Sequence, residues 1–331
     1  MTEWLFFDFL GKPAWLWLSF VAIVVVLLVI DLGVVHRKSK EIGVAESLIT
    51  SAVYIMLGLA FGGWVWWYMG ATAGMNYLTG FVIEKSLAMD NVFVIAMIFT
   101  YFAVPRIYQH RVLFWGILGV IVLRAIMIGL GATLVEQFSW VLYVFAAFLV
   151  FTGIKMWVFA DKQYDVSANP VLKYVKRRYR VTDELHGERF WVQQTDPKTG
   201  KLAWFMTPLF LALIMIEIVD LVFAVDSVPA IFAITTDPFI VYTSNIFAIL
   251  GLRALYFALA AMVDRFHYLK YALAVLLVFI GSKIFVADAL GLAKIPPPVS
   301  LAITFAILAV GIGWSLWKTR SAAALCEWKR A

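Results

Sequence analysis

Long apolar runs alternate with short polar breaks along the whole chain, and the run FVAIVVVLLVI at 20–30 carries no charge. At 1.5 Å per residue, about 20 residues cross the roughly 30 Å hydrocarbon core of a bilayer. Nine runs reach that length, near 14–35, 45–68, 72–104, 112–135, 138–160, 204–235, 239–262, 268–289 and 297–317. The pattern predicts an all-α polytopic membrane protein with nine transmembrane helices. The stretch 161–203 is the long polar interruption and reads as a cytoplasmic loop. Its basic run KYVKRRYR (173–180) suits anionic lipid heads, but a plain solvated linker is the simpler reading.

Lys and Arg accumulate in the connections on the cytoplasmic side. One alternate set of breaks holds Arg37, Lys38 and Lys40, then Arg106 and Arg111, the run 173–180, Arg265 and Lys270, and Lys318 and Arg320. The other set holds only Lys12 and Lys294, beside Asp8, Glu136, Asp237 and Asp288. The amino terminus is therefore expected outside, in the periplasm, and the carboxyl terminus in the cytoplasm. An even number of spans would break the alternation.

Composition adds exclusions. Of 331 residues, 63% are hydrophobic and 15% are charged, against about 25% charged in an average soluble domain. So much apolar surface needs lipid as its solvent. The net charge of +6 follows from the cytoplasmic loops and is no sign of nucleic-acid binding. Cys326 is the one cysteine, which leaves no disulfide framework and no thiolate metal site. The amino end MTEWLFFDF is acidic, so no cleavable signal is expected. The tail 321–331 reads as an appended remnant and carries no functional weight.

Two parts of the chain are alike. EKSLAMDNV (84–92) matches DLVFAVDSV (220–228), VLRA (122–125) matches GLRA (251–254), and FLVFTGIK (148–155) matches LLVFIGSK (276–283). An acid, an Arg and a Lys recur in order on three successive spans. An odd number of crossings separates the copies, so the second is inverted, as in transporters that bind substrate between inverted repeats. The expected core is 3+3, from units 72–160 and 204–289. Two accessory helices in 1–71 and a ninth in 290–320 complete it.

Carboxylates inside a span are expensive, from about 2.5 kcal/mol upward. Glu84, Asp90, Glu217, Asp220 and Asp226 lie at that depth, with Lys85, Arg124, Lys155, Arg253 and Lys283. Mutual stapling of helices would account for the bases equally well. It accounts less well for the acids, since buried pairs add little net stability. Arg124, Arg253, Lys155 and Lys283 are read as counter-charges or gating groups. At 100° per residue Glu217 and Asp220 share a face, and Asp226 lies about 120° round the helix from Asp220. Pro229 is expected to break that helix and free the Val225 carbonyl beside Asp226. Asp90 and Asp226 hold matching positions and are expected to face each other, with Asn91 beside them. Glu217 and Asp220 are expected at a second station nearer the cytoplasm. With Ser227 and Asn245 the donors are all oxygen, which suits Mg²⁺, Ca²⁺ or Mn²⁺. His36, His110, His186 and His267 all fall in or beside cytoplasmic loops. Met89 and Met215 adjoin the acids; a thioether would favour Mn²⁺, although Met at helical spacing is usually packing.

EKSLAMDNVFV (84–94) and EIVDLVFAVDSVPAIFAITTDPFIVYTSNIFAILGLRALYF (217–257) closely resemble the TerC family of bacterial integral membrane proteins, within the LysE-like transporter superfamily. The resemblance spans about 14–317, and the length and long loop resemble its Alx branch. It implies metal-ion homeostasis and, for that branch, Mn²⁺ export across the inner membrane. It also implies that Glu84, Asp90, Glu217, Asp220 and Asp226 are the family's acidic positions. The sequence is thus read as a proton-coupled manganese exporter whose partners are a divalent ion and lipid, with no permanent cofactor. The alternative is a membrane scaffold in a metal-stress or tellurite-resistance complex, docking partners on 161–203. No Ser-His-Asp set, Walker loop or HExxH supports an enzyme.

Overall fold

Each apolar run read from the sequence forms helix over most of its described length. The structure is a computed structural model and describes residues 6–30, 43–159, 165–167, 169–195, 200–260, 268–291 and 296–328. Strands β1 (Asp8–Phe9) and β2 (Lys12–Pro13) pair antiparallel ahead of α1 (Ala14–Ile30). Then come α2 (Val44–Met69), α3 (Ala71–Tyr101), α4 (Arg106–Gln137) and α5 (Val141–Val158). The polar segment contributes α6 (Pro170–Arg178) and the hairpin β3 (Trp191–Thr195) and β4 (Leu202–Met206). The chain continues through α7 (Pro208–Phe232), α8 (Pro238–Leu250), α9 (Leu252–Ala260), α10 (Leu269–Ala289) and α11 (Pro297–Trp328).

Among the described residues, α2, α4, α5, α7, α10 and Pro297–Thr319 of α11 are long and apolar enough to cross a membrane. That makes six spans, or seven if α8 and α9, bent by 41°, form one broken span. The expected count of nine is not reached on length and apolarity. Helix α1 is apolar but has only 17 residues. Helix α3 carries Glu84, Lys85 and Asp90 and the polar Thr72, Asn76 and Thr79, which lower its apolarity.

Helix α3 packs on α8, α4 on α7, α5 on α10, and α3 on α7. Small residues set the closest approaches, as expected where lipid removes the hydrophobic drive between helices. A Cβ on Gly153 of α5 would come within 2.7 Å of the Ala274 carbonyl oxygen and 2.8 Å of Val278. A Cβ on Gly281 of α10 would come within 2.5 Å of the Ala146 carbonyl oxygen and 2.9 Å of Val150. The two contacts are reciprocal. Gly153→Ala and Gly281→Ala are each expected to destabilise the protein by about 1–3 kcal/mol, since neither carbonyl can give way. Gly129→Ala, where a Cβ would meet nothing within 4 Å, is expected to be neutral. Thermal unfolding in detergent measures all three.

The periphery is tied to this core. Helix α1 buries Leu16, Phe20 and Val24 in a cluster with Tyr77, Phe81, Phe239 and Phe247. The Tyr77 hydroxyl donates to the Gly58 carbonyl, joining α3 to α2. Lys12 pairs with Asp237 at 3.0 Å, so the starts of α1 and α8 lie at one end of the bundle. Arg111 pairs with Glu188 at 3.2 Å and holds the polar segment to the start of α4.

That segment is not a plain linker. Asn169 caps α6 by accepting from the Val171 and Leu172 amides, and Pro170 opens the helix. Leu172 and Val175 are then buried against Ile98, Phe99 and Leu209. The Thr207 hydroxyl donates to the Arg189 carbonyl, which seats the hairpin at the start of α7. An apolar residue every three or four positions in 171–175 provided this face, and the surrounding charge hid it.

Candidate cation site

Arg124 of α4 is 1% exposed and sits halfway along its helix, among groups from three others. Its guanidinium donates to Glu84 of α3 and, at 3.4 Å through both Nε and Nη2, to the carboxylate of Asp220 of α7. The Nη1 group also lies 3.0 Å from Ser227 Oγ and 3.1 Å from Asn245 Oδ1. Asn245 of α8 uses its other end as well, Nδ2 donating to Glu84 Oε2 at 3.1 Å. Both oxygens of Glu84 are therefore bonded, and its side chain is 1% exposed. Glu84 and Asp220 head the two matching sequence stretches, and their helices deliver them to one guanidinium.

The network is satisfied on the Arg124 side and open on the Asn91 side. Asn91 Nδ2 reaches Asp220 Oδ1 only at 3.5 Å, and Asn91 Oδ1 is buried with no hydrogen-bond partner. Asn91 lines two small cavities. One, of about 20 Å³, has Gly116, Asp220 and Arg253 in its wall. The other, of about 40 Å³, has Glu84, Arg124, Asp226 and Ser227. Each has room for a water or two.

The other residues read from the sequence are placed around this centre. Glu217 lies one turn before Asp220, half-buried, with Oε2 unpartnered. Its carboxylate lies against Gly119 of α4, where a Cβ would overlap it. Asp226 is half-buried at the 40 Å³ cavity, with Thr152 and Lys155 of α5 beside it. The side chain of Asp90 lies outside the described residues, and so does the expected meeting of Asp90 with Asp226. Arg253 is 3% exposed and bonds His110 at 3.0 Å, at the wall of the smaller cavity. Lys283 lines a different cavity, of about 410 Å³, with Thr79, Asp288 and Ser300. Met215 is in the core and Met89 packs against it, so both serve packing. Among the described residues, no three of His, Cys, Asp and Glu come together as a metal-holding group.

The break in the backbone is not where Pro229 suggested. Helix α7 runs through Pro229 and ends at Phe232, so the missing amide falls in its last turn. The bend lies instead at Gly251, between α8 and α9. There Lys85, one residue after Glu84, donates to the Ala248 carbonyl at 3.1 Å, and its Nζ would be 2.7 Å from a Cβ on Gly251. Lys85 thus caps a carbonyl at the end of a helix inside the bundle. An isolated Gly in an apolar run was the available signal.

A guanidinium between two carboxylates has the charge and position of a cation bound by both. A divalent ion could use those acids fully only after Arg124 withdrew, with Asn91, Ser227 and Asn245 as further oxygen donors.

Comparison with known proteins agrees with this picture of a polytopic membrane protein. The family described as "Integral membrane protein TerC family" matches residues 69–323. A protein of Rickettsia bellii named "Uncharacterized membrane protein" is 47% identical over 89% of this chain and 95% of its own length. A Myxococcus xanthus membrane protein is 44% identical over 96% of each chain. A Photorhabdus laumondii protein named "Putative membrane-bound redox modulator Alx" is 45% identical over 93% of this chain and 96% of its own. No solved structure matches the chain.

Proposed function

The chain belongs to the TerC family of integral membrane proteins, and from that premise we propose that it is a secondary transporter exporting Mn²⁺ across the bacterial inner membrane in exchange for protons. The observation that carries the reading is the convergence of Glu84 and Asp220, from two helices, on one buried Arg124. Stability is a poor reason to keep such a triad, because desolvation offsets most of the attraction. A site that must bind a dication and then empty has a use for a tethered cation that takes its place.

The pairing of α3 with α8, α4 with α7 and α5 with α10 is unchanged when the two units are exchanged, and so is the Gly153 and Gly281 contact. Both support a 3+3 inverted repeat, with nine crossings once α1, α3 and the bent α8–α9 are counted as spans. Asp226 and Asp90 are proposed as the ligands of the ion's next position along the pathway, and Glu217 as the acid toward the cytoplasm. The oxygen donors narrow the substrate to hard divalent cations. The choice of Mn²⁺ among them rests on the family resemblance.

Purified protein in proteoliposomes is expected to move Mn²⁺ against an imposed proton gradient, with a reporter fused in 161–203 reading cytoplasmic. No Mn²⁺ flux with the gradient in either direction would defeat the proposal. A scaffold is the second reading, and the folded hairpin with Leu202 and Trp204 exposed on one face is what favours it. A scaffold keeps its function when Asp220 becomes Asn.

A further inference from the structure

Helix α10 packs against α5 on one side and α11 on the other, and a trough of about 640 Å³ runs between its two neighbours. Its floor is made of small residues, Ala272 and Val275 of α10. Gly311 lets α11 press on Ala272, and its walls are Trp157 of α5 with Ile307, Val310 and Trp314 of α11. Val275, Val310 and Trp314 are 41%, 70% and 53% exposed, so the trough opens outward to lipid.

One end differs from the rest. Tyr268, Tyr271, Trp157 and Trp314 gather there, as aromatic side chains do at a membrane–water interface. Lys318 lies 4.5 Å from the centre of the Tyr268 ring, and Lys270 lies 5.6 Å from that of Tyr271. From Ala306 to Lys318 the trough measures about 18 Å at 1.5 Å per residue, close to the depth of one leaflet. An occupant must therefore be slender and apolar for one leaflet and carry negative charge at the interface.

We propose that this trough binds one anionic phospholipid, its acyl chain lying over Ala272 and Val275 and its phosphate at Lys318. The loop charges place that end at the cytoplasmic leaflet. Lys318 reaches the headgroup from an apolar stem, as long basic side chains do near helix ends. The site is separate from Arg124 and does not depend on the transport reading.

Native mass spectrometry of the full chain tests this, with phosphatidylglycerol and phosphatidylcholine of identical acyl chains as probes. Phosphatidylglycerol is expected to be retained several-fold better. One lysine near an anionic surface is worth about 1 kcal/mol, so Lys318→Gln should lower its retention about fivefold and leave phosphatidylcholine unchanged. Val275→Trp should fill the trough and abolish the difference. Val310→Trp, on the α11 wall, should do the same if Val275→Trp folds poorly. Val286→Trp, 45% exposed on α10 away from the trough, should retain lipid as the parent does. Equal retention of the two lipids overturns the proposal, as does full retention in a folded Val275→Trp or Val310→Trp protein. A two-chain mass in place of bound lipid would assign the trough to a second copy and overturn it too.

Discussion

Arg124→Ala is expected to cost about 3–5 kcal/mol of stability, because it leaves Glu84 and Asp220 buried without the cation both of them touch. The variant should give little monodisperse protein in detergent and no Mn²⁺ flux. Charge, not volume, is the proposed cause, and a second variant separates the two. Arg124→Ala combined with Glu84→Gln and Asp220→Asn removes all three charges and should recover much of the thermal stability without recovering transport. An Arg124→Ala protein as stable as the parent would show that the acids find another counter-charge. Lys85 is the candidate nearest in sequence, although its ammonium is engaged with the Ala248 carbonyl.

This centre was only partly legible in the sequence. Apolar run length located the helices, since backbone satisfaction in lipid leaves few alternatives. The matching stretches 84–92 and 220–228 named Glu84 and Asp220 as equivalent acids. Periodicity carries no information on which equivalent pair meets, because that depends on where two helices cross. The sequence reading placed Asp90 with Asp226 at the axis and put Asp220 at an outlying station. The structure joins Asp220 to Glu84 through Arg124 and sets Asp226 beside α5, while the meeting of Asp90 with Asp226 lies outside the described residues. The two arginines also looked alike in VLRA and GLRA. Arg124 lies among acids while Arg253 bonds His110, because the bend at Gly251 falls two residues before Arg253 and has no counterpart in α4. Pro229 was misread as the break for a simpler reason. A proline three residues from a helix end removes one hydrogen bond from a turn that is already ending.

Asp220→Asn and Glu84→Gln are each expected to lower Mn²⁺ flux at least a hundredfold while leaving a folded, inserted protein. Both replacements keep size and an oxygen acceptor for Arg124, so the packing around the guanidinium survives. What is lost is one negative charge at the ion's place. Two unit charges about 4 Å apart interact by about 4 kcal/mol at an effective dielectric constant near 20, and a dication would lose more. That corresponds to roughly a thousandfold in affinity, well beyond what the remaining oxygens could restore. Glu136→Gln, at an exposed position near the end of α4, should transport as the parent does. Isotope flux into proteoliposomes, run on parent and variants side by side, measures the loss. Undiminished flux in Asp220→Asn would remove Asp220 from the pathway. A hundredfold loss accompanied by loss of the folded, inserted protein would leave Asp220 a role in packing alone.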